Sequence, residues 1–402
     1  MGERETPERP SEPRRLPPAT GAWRPGNHPG RRRFATVARE HPLVLEGGGI
    51  LRDITIAYET WGELDDSASN AVLVCHALTG DSHAAGPREA GHPTEGWWDP
   101  LIGPGRALDT DRYFVVCANV LGGCQGTTGP ASPAPDTGRP FGSRFPQVTI
   151  RDMVRTQAAL ADHLGVRRWL CVVGGSMGGM QVLEWGIMFP RRVRSLAPIA
   201  TCAASSALQI AYSSVQRQAI AMDPNWRGGD YYDAPPGEGP HRGLALARAI
   251  AQITYRTGKV FEDRFGRKVV EELDYTLWQR FDVEGYLDYH GLKLVRRFDA
   301  NSYLLLSKAM DLHDVGRDRW GISRALRRIR VPTLVMGIES DTLYPLCQQE
   351  LIRDELRAAG LEVWYSVIRS DNGHDAFLID TDQVAAPLGD FIEAVSKQPW
   401  EA

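Results

Sequence analysis

No run of uninterrupted apolar residues in this 402-residue chain approaches the roughly 18 that a membrane-spanning helix needs, so a soluble protein is expected. Basic excess is also missing. The chain carries 46 Lys and Arg against 50 Asp and Glu, a formal net charge of −4. A protein that lives on phosphate contacts needs a positive field, so nucleic acid is not an expected partner. The six cysteines, Cys75, Cys117, Cys124, Cys171, Cys202 and Cys347, form no pair of Cys-x-x-Cys motifs, which excludes the usual structural zinc framework. Several lie in or beside apolar runs, where cysteine acts as a small hydrophobe, and a reducing cytoplasm is the expected compartment. No internal repeat of 20 to 50 residues points to a solenoid.

The first 36 residues lack the apolar centre of a secretory signal and hold seven Pro, eight Arg and four Glu. Residues 1–36 are therefore expected to be a disordered arm, with Arg31-Arg32-Arg33 offering at most a weak contact.

From residue 53 onward, short β-rich runs alternate with helical patterns. Ile54 to Tyr58, Ala71 to Cys75, Tyr113 to Ala118, Trp169 to Val173 and Ser195 to Ile199 are apolar runs of strand length. Continuous apolarity predicts strands buried on both faces. Thr149 followed by Asp152 reads as a capping box, opening a helix that buries Met153, Ala158, Leu160 and Leu164. The rhythm is βαβ and predicts a mostly parallel sheet. Residues 201–320 turn helical, and Thr333 to Gly337 and Leu361 to Ile368 restore the strands. The expected architecture is an α/β core, residues 37–200 and 321–402, with residues 201–320 as a helical lid over the carboxyl edge of the sheet.

The strongest local signal is Gly174-Gly-Ser-Met-Gly178, set between the strand ending at Val173 and a helix that begins near Met180. Strand, tight turn and helix make a nucleophile elbow, whose glycines are needed because a side chain there would strike the neighbouring elements. A serine hydroxyl is a poor nucleophile without a base and an acid to orient that base. Such an elbow belongs to the α/β-hydrolase fold, where the chain order is serine, acid, histidine. After His313 only one histidine remains, His374, so it is the expected base for Ser176. The acid should follow the strand Thr333 to Gly337; Asp341 is best placed, with Glu339 as competitor. The oxyanion of acyl transfer needs two backbone N–H donors. Met177, after the nucleophile, supplies one; Leu78 or Ala77, in the loop after Ala71 to Cys75, supplies the other.

Several blocks then carry a family resemblance. They are His76-Ala-Leu-Thr-Gly-Asp-Ser-His83, Gly96-Trp-Trp-Asp-Pro100, the stretch Ala118 to Pro130, Gly174 to Gly179, Arg297-Phe-Asp-Ala-Asn-Ser-Tyr303, Ser340 to Pro345 and Gly373-His-Asp-Ala-Phe-Leu378. In this order, across residues 40 to 395, they resemble the homoserine O-acetyltransferases. The resemblance implies an α/β-hydrolase core with a helical lid, acetyl transfer from acetyl-CoA to L-homoserine in methionine biosynthesis, and a ping-pong route through acetyl-Ser176. It implies Asp341 and His374 as the other triad members, and Leu78 with Met177 as the oxyanion hole. For the zwitterionic acceptor it implies Arg248 toward the carboxylate and Asp375 as a second substrate residue, with Tyr255 seven residues past Arg248. It further implies a homodimer joined through the lid, no metal and no cofactor beyond the co-substrate, and a Gly122 to Gly129 loop bordering the active-site entrance. That loop lacks the Gly-Lys-Ser/Thr ending of a nucleotide cradle, and Cys124 in it is expected to pack. Succinyl-CoA as donor, L-serine as acceptor, and a serine esterase with the same triad remain the alternatives.

Overall fold

The computed structural model describes residues 16–270, 273 and 275–399. Its ten strands are β1 (Arg33–Val37), β2 (Leu43–Val44), β3 (Ile50–Leu51), β4 (Ile54–Trp61), β5 (Ala71–Cys75), β6 (Phe114–Ala118), β7 (Cys171–Gly175), β8 (Leu196–Ile199), β9 (Thr333–Ile338) and β10 (Val363–Ile368). Eight form one sheet in the order β1-β4-β6-β5-β7-β8-β9-β10, parallel from β6 onward, with β1 and β4 antiparallel. Every residue of β5, β6 and β7 is buried, as their unbroken apolarity requires.

Between β6 and β8 lie α1 (Ile150–His163) and α2 (Met177–Met188). The Thr149 side chain accepts the Asp152 N–H while the Asp152 carboxylate takes the Thr149 N–H, a closed capping box that fixes where α1 starts. Between β8 and β9 the chain leaves the sheet for α3 (Ala207–Ala221), α4 (His241–Tyr255), α5 (Gly258–Arg264), α6 (Asp282–Val295), α7 (Ala300–Asp311) and α8 (Ile322–Leu326). It returns through α9 (Leu346–Ala358), α10 (Ala376–Ile379) and α11 (Thr381–Ser396). Among the described residues no helix is long and apolar enough to cross a membrane.

The expectation of a disordered arm fails for residues 16–36; residues 1–15 lie outside the described residues. The Thr20 hydroxyl donates to Asp299 at 2.7 Å, Gly21 N–H to the Phe298 carbonyl at 3.1 Å and Trp23 N–H to the Cys124 carbonyl at 2.9 Å. Arg32 is buried, donating to the Gly91 carbonyl at 2.9 Å and to Gln125 at 3.0 Å, and Arg33 opens an edge strand of the main sheet. Proline and arginine give this segment no core of its own, but several of its polar groups find fixed partners far along the chain. The run Leu304 to Leu306 serves the interior, since Leu305 and Leu306 are buried.

Candidate active site

Ser176 sits at the junction of β7 and α2 with φ +57°, a backbone state that non-glycine residues rarely adopt. The surrounding contacts impose it. A Cβ on Gly174 would come within 2.5 Å of the Cys75 carbonyl oxygen, and one on Gly178 would collide with the same oxygen. Only glycine lets β5, β7 and α2 close on each other, and that closure lifts the serine out at the carboxyl end of the sheet.

His374 Nε2 stands 2.9 Å from Ser176 Oγ, and Nδ1 stands 2.6 Å from Asp341 Oδ2. All three side chains are buried. The other oxygen of Asp341 accepts the N–H groups of Leu343 and Tyr344, each at 2.8 Å, so the carboxylate is locked and holds the proton on Nδ1. Glu339, the competing acid, is exposed. Burial alone would lower the His374 pKa, but the Asp341 charge and hydrogen bond outweigh it, and the net shift is upward. The imidazole is boxed by aromatic rings: Tyr344 stacks at 4.9 Å, Phe377 meets it edge-on at 5.6 Å and Tyr255 lies 6.0 Å away.

The serine opens into a pocket walled by the lid. Ala77 and Leu78 line it, as do Arg248 and Tyr255 of α4 and Asp375 beside the base. The Arg248 guanidinium lies 5.1 Å from the centre of the Tyr255 ring, so the two side chains form one face. Leu78 belongs to a turn closed by Gly80 N–H on the Ala77 carbonyl at 2.9 Å, and Met177 is the first residue of α2. The sequence-named residues Ser176, Asp341, His374, Leu78, Met177, Arg248, Tyr255 and Asp375 thus converge on one end of the sheet.

Other residues of this site carried no sequence signal that was used. Arg256 sits 3.4 Å from Asp375. Asp311 lines the pocket and pairs with Arg217 at 2.6 Å. Gln209, Tyr212 and Gln216 also line it; their spacing along α3 puts them on one polar helix face, a pattern that periodicity could have revealed. The Gly122 to Gly129 loop does not line the pocket, contrary to expectation: it lies against the arm, lining a separate cavity with Trp23 and Pro25.

A second convergence of titratable groups, Glu59, His83 and His92, is buried away from the serine pocket's lining. Glu59 accepts the Ser82 hydroxyl at 3.0 Å and faces His83 Nδ1 at 2.9 Å, while His92 Nε2 accepts the Arg31 N–H at 2.9 Å. Burial foremost holds the His92 pKa down to about 4, so its nitrogen stays a neutral acceptor. Through the Arg31 contact the cluster ties the arm to the core, while His83 Nε2 is buried without a hydrogen-bond partner among the described residues.

Residues 70–381 match the family model for the alpha/beta hydrolase fold. The homoserine O-acetyltransferase of Thermobifida fusca (strain YX) is 55% identical over 93% of this chain and 97% of its own length. The chain belongs to the homoserine O-acetyltransferase family. The crystal structure of homoserine O-acetyltransferase from Bacillus anthracis superposes with a TM-score of 0.83 at 29% identity, covering 90% of this chain and 97% of that one. Esterase E22 superposes with a TM-score of 0.82 at 28% identity, covering 90% and 99%, so members of this family share their scaffold with a hydrolase.

Proposed function

We propose that the protein transfers the acetyl group of acetyl-CoA to the side-chain hydroxyl of L-homoserine, giving O-acetyl-L-homoserine for methionine biosynthesis. In this reading Ser176 Oγ attacks the thioester carbonyl while His374 Nε2 takes its proton, and the N–H groups of Leu78 and Met177 receive the oxyanion. Collapse passes the proton to the CoA sulfur and leaves acetyl-Ser176. The homoserine hydroxyl then gives its proton to His374 and attacks the acyl-enzyme, and the second collapse returns the proton to Ser176.

The observation that carries the reading is the hydrogen-bonded chain Asp341–His374–Ser176 opening into a pocket that also holds Arg248 and Asp375. A free amino acid brings one carboxylate and one ammonium, and this pair complements both; an acetyl esterase has no use for either. Arg248 is the one arginine among the pocket-lining residues, and no lysine joins it. With Arg248 given to the acceptor, the nearby Arg256 and Arg217 stand against Asp375 and Asp311, which favours acetyl over a donor group with its own carboxylate. The test is CoA release from acetyl-CoA by purified protein. Fast release only when homoserine is added supports transfer; equal release without acceptor sinks it in favour of hydrolysis. Running succinyl-CoA and L-serine in the same assay separates the remaining alternatives.

The same reading includes a homodimer joined through the lid and a cytoplasmic location. Exposed Leu208 and Val215 on α3 and Met222 at its C-cap recur every seven residues, and Leu246 and Ile253 do so along α4. Such stripes favour burial against a second copy. Six cysteines standing as free thiols, five of them buried, suit a reducing compartment.

A further inference from the structure

Arg297, between α6 and α7, reaches across from the lid to the loop that carries Leu78. Its Nη1 and Nη2 both donate to the Thr79 carbonyl oxygen, at 2.7 and 2.8 Å. Nη2 also stands 3.4 Å from Asp81 Oδ2, a longer contact than either bond to the carbonyl. Burial alone would raise the Asp81 pKa, but Arg297 and then Arg32 bring it below its ordinary value, so the Asp81 carboxylate stays ionised.

The grip matters because of where it falls. Within the turn itself, Gly80 N–H to Ala77 O is the closing bond, which leaves Leu78 and Thr79 as its two central residues. The Thr79 carbonyl and the Gly80 N–H share one planar peptide, and the Ala77 carbonyl and the Leu78 N–H share another, so the closing bond ties the two peptides together. Two donors on the Thr79 carbonyl hold the first peptide from outside the turn, and through the Gly80 N–H they hold the second, which carries the Leu78 N–H. Ala77, Leu78 and Thr79 all line the Ser176 pocket, so any rotation there is felt at the reacting atoms.

Arg297 is itself held from behind. Its backbone carbonyl accepts Gln125 Nε2 at 2.6 Å; Gln125 also donates to the Gly21 carbonyl at 3.2 Å and accepts from Arg32 at 3.0 Å. Arm, glycine-rich loop and lid meet at this one residue.

We propose that Arg297 is a positioning residue: by clamping the Thr79 carbonyl with both guanidinium nitrogens it aims the Leu78 N–H at the oxyanion and couples that half of the oxyanion hole to the lid. The inference rests on Ser176 as nucleophile and Leu78 as donor. A planar fork with two parallel donors is what this grip requires, and lysine, a point charge on a flexible stem, satisfies Asp81 but not the two-point contact.

The test is pre-steady-state acylation of Ser176 by p-nitrophenyl acetate, which needs no amino-acid acceptor. A misplacement near 1 Å costs about 10²-fold in rate, so Arg297→Ala is expected to acylate about 10- to 100-fold more slowly with little change in the half-saturating ester concentration. Arg297→Lys should fall between it and wild type. Free guanidinium, but not an equal concentration of sodium chloride, should restore part of the rate to Arg297→Ala. Acylation by Arg297→Ala at the wild-type rate overturns the proposal, and so does a loss that merely tracks the folded fraction by near-ultraviolet circular dichroism and ignores guanidinium. If Arg297→Ala does not fold, Arg297→Lys decides alone: wild-type acylation overturns the proposal and a slowed rate at wild-type Tm upholds it. A wild-type burst that survives Ser176→Ala is a separate failure, of the nucleophile assignment itself, and removes the proposal with it.

Discussion

At the scale of single residues, the Asp341–His374 contact sets the pH behaviour of the site. The imidazole must be neutral to accept the serine proton, and its pKa is held above the ordinary 6.5. Activity is therefore expected to fall as pH drops through a value above 6.5. Asp341→Asn removes the charge that raises it, so the acid limb of the kcat/KM profile should move to lower pH while kcat drops on the order of 10⁴, because the amide no longer holds the productive tautomer. An acid limb that stays in place would separate Asp341 from the base. Arg248→Ala is expected to act on the other substrate: it removes a charge-assisted contact of about 1.5–3 kcal/mol, raising KM for homoserine at least tenfold with the acetylation half-reaction nearly unchanged. Steady-state kinetics varying each substrate in turn checks it. Ser176, Asp341 and His374 were legible before any coordinates because chemistry dictates their types and the fold dictates their order. Arg256 and Asp311 were not, because a charged residue on a helix reads as solvent-facing until its partner, here Asp375 or Arg217, is brought to it from elsewhere in the chain.

Among the elements, the buried strands announced themselves and the arm did not. The unbroken apolar run Ala71 to Cys75 and the capping box at Thr149 are local patterns, complete within a few residues. The arm is ordered by partners such as Asp299 for Thr20, 279 residues away, so composition alone reads it as loose. The elbow between β7 and α2 shows how little freedom local geometry leaves. Gly178→Ala would drive a methyl group into the Cys75 carbonyl, which is backbone of the central strand and cannot swing aside. Overpacking of this kind costs about 1–3 kcal/mol or more, and the strand can yield only by shifting Ser176. The expected outcome is a lowered Tm together with loss of Ser176 acylation. Thr149→Ala gives the contrasting case: it removes one cap of α1, worth about 1 kcal/mol, and should lower Tm while leaving acylation at the wild-type rate. Thermal denaturation paired with the acylation burst tells the two apart.

Across the whole molecule, the lid has to do two things with the same helices. On α4, Arg248 and Tyr255 are seven residues apart and line the pocket, while Leu246 and Ile253, also seven apart, are about half exposed. A step of two residues turns a helix through about 200°, so the pairs lie on opposite faces. Leu208 and Val215 on α3, Met222 just past its end, and Tyr289 and Leu292 on α6 are exposed as well. A stable interface needs roughly 800 Å² from each partner, and three helices packed together that each expose apolar side chains can supply that where one could not. Leu246→Glu with Ile253→Glu would place two charges at the centre of such a contact, where desolvating an unpaired carboxylate is prohibitive. The expected result is a halved solution mass by light scattering, against a dimeric wild type; a wild type that is monomeric at every concentration would remove the paired-lid reading. Because the inward face of α4 carries Arg248, the arginine proposed for the acceptor, the monomer should also show a raised KM for homoserine with Ser176 acylation less affected. That split follows from the architecture: Ser176 and His374 stand on the sheet, which the stripe does not touch, whereas Arg248 stands on the helix that would lose its support.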